Sequence, residues 1–143
     1  MLFIFSFNDE SKINPILRDR MYRIQTDGYN SKDKITIVNN YLLKSIRNNV
    51  NFKEDDVKIG DKELEYIIEN YTENEKGVRN LKRCLEIIYT KLNLYRLMGK
   101  NKVFFQNNKM PTNIEFPCIV TEQMIKEFIQ KRDMENIYFG MYV

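Results

Sequence analysis

The sequence contains no histidine, which excludes His-based acid–base catalysis and the usual zinc sites. Its two cysteines, Cys84 and Cys118, lie far apart and lack CxxC spacing, so no metal site or disulfide framework is predicted. The apolar run at residues 1–7 is too short to span a membrane and lacks the basic leader of a signal peptide. We therefore expect a cytoplasmic protein with no membrane partner, with a mitochondrial or viral origin as the alternatives.

Two elements of nucleotide hydrolysis are missing as well. No GxxxxGK[ST] sequence occurs, and no predicted strand ends in paired acidic residues. The first element would cradle phosphate groups with its backbone N–H groups and lysine, and the second would bind Mg²⁺. We therefore expect that this chain is not catalytic by itself, and that any Mg²⁺ ligands lie outside it.

The composition is that of a globular protein. Of 143 residues, 43% are apolar and 13% aromatic, which is ample for a packed core, and 30% are charged with both signs mixed. The net charge of +3 is too small to indicate nucleic-acid binding without a clustered basic patch. The length fits one domain, or a small domain joined to a fragment of another.

Residues 1–27 have the pattern of a fragment of an α/β sheet. The continuous apolar run Leu2–Phe5 predicts a strand covered on both faces, which requires neighbouring strands. Pro15 follows an asparagine N-cap and predicts a short helix to about residue 20, and Tyr22–Gln25 predicts a second strand. The turn at residues 27–28 marks the boundary to a helical domain.

The remaining sequence predicts a mainly α domain of four helices with a short strand pair. The helices begin at the N-caps Ser31 and Asp61, near Val78 and at the N-cap Thr121, and the third helix ends at Gly99. Short strands are predicted at Cys118–Val120 and, within a polar connector, at residues 103–105. Apolar residues at helical spacing form the inward stripes: Ile35, Val38, Leu42, Ile46; Leu64, Ile67, Ile68, Tyr71; Leu81, Leu85, Ile88, Leu92, Tyr95; Ile125, Phe128, Ile129.

Two motifs carry a resemblance to a known family: NPILRDRMYRIQTDG at residues 14–28 and GVRNLKR at residues 77–83. Together with the strand and polar residue at residues 2–8, they resemble the second half of the AAA+ ATPase module of the Lon protease family. The resemblance implies a helical AAA+ lid domain at residues 28–132. Residues 1–27 would then be the C-terminal fragment of the α/β nucleotide-binding core, and residues 133–143 a tail or linker.

In the core fragment, the resemblance implies roles for Asn8 and Arg20. Asn8 follows the first predicted strand, where ligands of α/β sheets bind, and matches sensor 1, which orients the water that attacks the γ-phosphate. Arg20 matches the arginine finger, whose permanent charge stabilises phosphoryl transfer in a neighbouring subunit. Arg18 is an alternative finger, because it stands where the family usually has leucine and the interval from Asn8 is one residue longer. The structural alternatives are a turn-forming Asn8 and a surface ion pair between Asp19 and Arg20.

In the lid, the resemblance implies that Arg79 is the sensor 2 arginine, which touches the γ-phosphate so that lid angle reports nucleotide state. Val78 belongs to the same motif, and Tyr29 and Ile37 match positions that help to wall the adenine. The alternatives are a solvated first-turn arginine and core packing of the tyrosine and isoleucine. The basic residues of the third helix favour a solvated face over a nucleic-acid face, because the apolar stripe occupies one side.

The resemblance thus implies the C-terminal part of a Lon-type AAA+ ATPase that acts in ATP-dependent protein unfolding and proteolysis, with ATP as the cofactor. Its partners would be protein substrates and neighbouring AAA+ subunits in a ring homo-oligomer, a hexamer, with nucleic acid not expected. Two other functions stay open. One is a stand-alone, non-enzymatic lid that docks on an ATPase, and the other is the lid of a DNA-remodelling AAA+ protein.

The purified chain is expected not to turn over ATP, and to bind it weakly at best. The physical reason is that the predicted arginines would contact only one end of the phosphates, without the phosphate loop or Mg²⁺ ligands. The measurement is steady-state phosphate release against a protein-free background. Release above that background, abolished by Arg79→Ala, would contradict this expectation.

Overall fold

The computed structural model describes residues 1–98 and 114–129. A 3₁₀ turn at Glu10–Lys12 and the helices and strands follow in this order: α1 (Pro15–Arg18), α2 (Ser31–Ile37), a π-helical turn (Val38–Leu42), α3 (Leu43–Asn49), β1 (Val57–Lys58), α4 (Asp61–Tyr71), α5 (Arg79–Met98), β2 (Cys118–Ile119) and α6 (Glu122–Phe128). Because α2, the π-helical turn and α3 follow one another without a break, they form one long helix. The described domain therefore has four helices and a strand pair, and the predicted mainly α class is confirmed.

The strand pair differs from the predicted one in one member. β1 and β2 are parallel, with Val57 opposite Cys118 and Lys58 opposite Ile119. Sequence reading did not find β1, because two residues are too few to show an alternating pattern. The predicted strand at residues 103–105, the helix end at Gly99 and the tail 133–143 lie outside the described residues.

The two strands predicted before residue 28 do not form in this structure. Leu2–Phe5 and Tyr22–Gln25 have no strand structure, and the side chains of Leu2–Phe5 are between 65% and 86% exposed. A buried parallel strand needs hydrogen-bonded neighbours on its edges and helices on its faces, and no strand of the described residues supplies them. The helix between them does form, with the Asn14 side chain accepting a hydrogen bond from Ile16 N, although it ends at Arg18.

Two of the predicted N-caps are displaced by one residue. Asn30, rather than Ser31, caps α2: its side chain accepts from Asp33 N (2.8 Å), and the Asp33 carboxylate accepts from Asn30 N (3.2 Å). This reciprocal capping box needs an acid three residues after the cap, which Asn30 has. Gly60, rather than Asp61, precedes α4. Thr121 caps α6 as predicted.

α5 is the central helix of the domain and packs against α3, α4 and α6. Every predicted inward residue of α5 is buried, and Cys84 and Tyr89 join them in the core. The stripes of the other helices also face the core, with Ile35, Leu42 and Tyr71 only partly buried. The stabilisation from dispersion and from the burial of apolar surface is therefore centred on the contacts of one helix, α5.

Two basic residues of α5 bind the ends of neighbouring helices. Lys91 Nζ donates to Phe128 O at 2.5 Å, at the last residue of α6. The Arg96 guanidinium donates to Val50 O and Asn51 O, both at 2.8 Å, just beyond α3. Carbonyl groups at a helix C-terminus have no partner within the helix and attract cations. These side chains therefore attach α3 and α6 to the central helix.

Leu85→Ala is expected to lower the free energy of unfolding by about 2–5 kcal/mol, because the lost side chain leaves a cavity in the core of α5. Leu85 is 0% exposed, and Leu97 on the same helix is 73% exposed and serves as the matched control. Leu97→Ala should change the free energy by no more than about 0.5 kcal/mol. Chemical denaturation followed by circular dichroism measures both values, and equal losses would contradict the assignment of the core.

Candidate functional site

The candidate site is built around the loop between α4 and α5, residues 72–78. Thr72 is buried, and its Oγ1 donates to Ile68 O (2.7 Å), while Glu75 N donates to Thr72 O (2.9 Å). Between them, Glu73 and Asn74 have φ angles of 46° and 57°, in the left-handed region. The chain therefore reverses sharply after α4, and α5 begins directly after the loop.

The carboxylate of Glu75 caps the first turn of α5. Its Oε1 accepts from Arg79 N (3.0 Å) and its Oε2 from Asn80 N (2.8 Å). N–H groups in the first turn have no partner within the helix, and a negative charge there is favourable with the helix dipole. The cap fixes the backbone of Arg79, and because these two N–H groups are occupied, a ligand at this helix end would meet the arginine side chain instead.

The segment that opens the helical domain, residues 28–34, lies against this loop. Tyr29 N donates to Lys76 O at 2.9 Å. Lys34 on α2 is 4% exposed, and its Nζ donates to the carbonyl of Glu75. The two segments and the last turn of α4 enclose a depression of about 520 Å³. Gly28 permits the close approach, since a Cβ there would lie 2.8 Å from Lys76 Cβ.

Three of the four lid residues singled out by the sequence lie next to this contact. Tyr29 is 50% exposed and borders the depression, Val78 is the last residue of the loop, and Arg79 directly follows it. Tyr29 binds Lys76, which is three residues before Arg79, so the backbones of Lys76 and Arg79 are at most about 11 Å apart.

The fourth lid residue, Ile37, is partly buried and lies one turn after Lys34 on the same face of α2. Arg79 is exposed, and within the described part of the chain its guanidinium forms no ion pair.

Asn8 and Arg20 lie in the exposed segment before the domain, and neither lines the depression. Arg18 Nε is 3.9 Å from Glu10 Oε1, and the same carboxylate binds Arg23. In residues 1–98 and 114–129 no ion pair joins Asp19 and Arg20, so that structural alternative for Arg20 is absent there. Arg18 thus lies near an acid of its own segment, whereas none of the ion pairs among the described residues involves Arg20.

Sequence reasoning did not single out Lys34 and Glu75. The signal for Lys34 was its spacing of four residues from Val38, which places a lysine on the apolar face of a helix. The signal for Glu75 was an acid shortly before the first turn of a helix, a position that favours capping. The sequence alone could not show that the two residues meet, because they are far apart along the chain.

Neither cysteine is suited to nucleophilic chemistry. Burial raises the pKa of the Cys84 thiol to about 12, and burial also raises the pKa of Cys118. A thiol that is protonated at neutral pH is a poor nucleophile and a poor metal ligand. Within the part of the chain that the structure covers, no helix is both long and apolar enough to cross a bilayer.

Comparisons with known proteins agree on one family. Residues 48–104 match the family model described as the Lon protease AAA+ ATPase lid domain. A Lon protease homolog of Acanthamoeba polyphaga mimivirus is 46% identical over 67% of this chain and 9% of that protein. Lon proteases of Campylobacter concisus and Cytophaga hutchinsonii are 36% and 30% identical over 94% and 99% of this chain, but over only 15% and 17% of their own lengths. The chain thus spans less than a fifth of each of these relatives.

Gly28→Ala is expected to lower the free energy of unfolding by about 1–3 kcal/mol, because its Cβ would overpack against Lys76. The predicted contacts are backbone as well as side chain, at 3.1 Å from Lys76 O and 3.2 Å from its Cα. Gly77→Ala in the same loop is the control, since its Cβ would meet only a Glu75 carboxylate oxygen, at 3.8 Å. Thermal or chemical unfolding of both variants measures the difference, and an unaffected Gly28→Ala protein would count against the packing described for this loop.

Proposed function

Because this chain contains the AAA+ lid region of the Lon protease family, we propose that it serves as the C-terminal part of a Lon-type AAA+ ATPase in ATP-dependent protein unfolding and proteolysis. The observation that carries the proposal is the exposed guanidinium of Arg79, which belongs to the first residue of α5 and forms no ion pair within the described residues. A cation that the surrounding protein leaves unpaired is suited to an anionic ligand.

The residues near Arg79 fit a nucleoside triphosphate. A guanidinium can bond two phosphate oxygens at once and keeps its charge at any pH in use. The half-exposed ring of Tyr29 and the partly buried aliphatic side chains of Ile37 and Val78 offer apolar surface for a base. When bound, ATP would supply the phosphoanhydride bond whose hydrolysis drives protein unfolding. In this proposal the phosphate loop and the Mg²⁺ ligands come from outside the chain.

The fold suits the proposed role of a lid that moves as one body. α5 has 20 residues, which corresponds to a length of about 30 Å. Arg79 lies at one end, and near the other end Arg96 binds the carbonyl groups beyond α3. A displacement of Arg79 toward or away from a phosphate would therefore carry α3 and α6 with it, as in hinge motion of a rigid domain.

We also propose that residues 1–27 belong to the α/β core, with Asn8 as sensor 1 and Arg20 as the finger that acts on a neighbouring subunit of a ring. The exposure of Arg20, and the absence of an ion pair to it among the described residues, favour it over Arg18, which binds Glu10. The exposed apolar side chains of Leu2–Phe5 fit a strand of a larger sheet. The partners in this proposal are identical subunits of a hexamer and protein substrates.

The structure gives little support to the DNA-remodelling alternative. Lys91 and Arg96 of α5 bind backbone carbonyl groups, and Lys82 is 3.7 Å from Glu86. Phosphate backbones are bound by cations that can exchange with released counterions, and these three side chains already have partners. A part of an ATPase differs from a stand-alone lid in that substitution of Arg20 or Arg79 changes ATP turnover.

In a complete Lon-type ATPase that carries this region, Arg20→Ala is expected to lower ATP turnover by about 10³-fold or more while sparing nucleotide binding. The finger would act on charge that develops in the transition state, so the ground-state affinity does not depend on it. Arg79→Ala should instead change affinity and turnover together. Lys62→Ala is the control, because Lys62 is an exposed cation in the first turn of α4, at the opposite end from the loop.

The site of action of Arg20 is tested by mixing subunits. Rings that combine Arg20→Ala subunits with subunits lacking the phosphate-loop lysine should recover part of the activity, since an intact nucleotide site can then face an intact Arg20. No recovery at any ratio, in rings shown to be mixed, would count against action between subunits. Full activity of the Arg20→Ala protein alone would move the role to Arg18 or end the hypothesis.

A further inference from the structure

We propose that Lys34 and Glu75 are positioning residues for Arg79, forming a lock that ties the first helix of the lid to the first turn of α5. The proposal rests on the proposed function of Arg79 for its catalytic consequence, but its structural part is tested independently. Neither residue is placed to contact the nucleotide in this proposal. Both act through the backbone that carries Arg79.

Among the residues that the structure describes, Lys34 is the charged side chain that is buried, whereas the other buried polar residue, Thr72, carries no charge. The Lys34 side chain is 4% exposed, and its Nζ donates to the carbonyl of Glu75, 41 positions along the chain. Removing an ammonium group from water costs free energy, and more so when no opposite charge is paired with it. Within the described residues Lys34 forms no ion pair, so its bond to the loop carbonyl offsets part of this cost.

Glu75 binds in two directions. Its carbonyl accepts from Lys34, while the two oxygens of its carboxylate accept from the N–H groups of Arg79 and Asn80. One residue therefore connects α2 with the first turn of α5, through its carbonyl on one side and its carboxylate on the other. A shift of α2 relative to the loop would displace Glu75 and, with it, the backbone of Arg79.

The lock lies between the two segments that the proposed function requires to act together. α2 follows the segment that carries Arg20, and the loop precedes Arg79. A second contact, Tyr29 N to Lys76 O at 2.9 Å, reinforces the same junction. Loss of the lock should leave the guanidinium of Arg79 chemically intact but less often in place, which reduces its contact with a phosphate.

The first experiment uses this chain and measures amide hydrogen exchange by NMR. Lys34→Met keeps an unbranched side chain and removes the amine, and Glu75→Gln weakens the cap. Both are expected to speed exchange at the N–H groups of Arg79 and Asn80 at least about tenfold, as expected where capped groups open locally. Lys32→Met is the matched control, because Lys32 is exposed on the same helix.

The second experiment measures KM for ATP and kcat in a complete Lon-type ATPase that carries this region. Lys34→Met should raise KM at least about threefold, in the direction of Arg79→Ala, and should add nothing in an Arg79→Ala background, because residues that act as a unit are not additive. Ile88→Val serves as a stability control, since it trims a fully buried side chain of α5 without touching the loop. It should leave KM unchanged.

The outcomes separate the two levels of the proposal. Unchanged exchange at Arg79 and Asn80 in folded Lys34→Met overturns the lock, whatever the kinetics. Faster exchange with a KM like that of Lys32→Met overturns the positioning role, provided that Arg79→Ala itself changes KM. If Arg79→Ala changes neither KM nor kcat, the sensor role of Arg79 fails, while faster local exchange still supports the structural lock.

Discussion

The burial of one face of α5 is the constraint on which the rest of the domain depends. α3, α4 and α6 all pack against this helix, and its inward side chains form the centre of the core. A buried helix still has to satisfy the polar groups at its own ends and at the ends of its neighbours. Glu75 does this at the first turn of α5, and Lys91 and Arg96 do it for α6 and α3. The apolar face sets which helices meet, and these polar contacts set how they are aligned.

The same constraint explains why the candidate site lies where it does. Arg79 lies on the solvent-facing side of α5 and is exposed, whereas Leu81, two residues later, faces the core and is fully buried. The packed core holds a functional group at the end of such a helix in a fixed position. Because the group is exposed, a ligand can still reach it. The segment that opens the domain lies beside this helix end, because Tyr29 N donates to Lys76 O and Lys34 Nζ donates to Glu75 O.

The sequence predicted the helices well because each has several apolar residues at helical spacing, as in the stripe of α5. It failed where the local signal is short or where the structure depends on distant partners. β1 has two residues, and Leu2–Phe5 forms no strand without neighbours, although its composition favours one. Tyr29, Val78 and Arg79 were predicted from the resemblance, and their roles stay predictions, while the structure places Tyr29 against Lys76, two residues before Val78. The contact of Lys34 with Glu75 was beyond sequence reasoning, since a lysine in a helix is exposed far more often than it is buried.

The carbonyl contacts of the basic side chains have a consequence for how the domain responds to ionic strength. Lys34, Lys91 and Arg96 direct their cations at backbone carbonyl groups of the domain. A carbonyl group has no formal charge, so these bonds fix the positions of the cations without neutralising them. Interactions between exposed charges are largely screened beyond a Debye length of about 8 Å at physiological salt, whereas partly buried contacts are screened much less. Added salt should therefore weaken an exposed ion pair, such as that of Lys58 with Asp55, more than it weakens these contacts between helices.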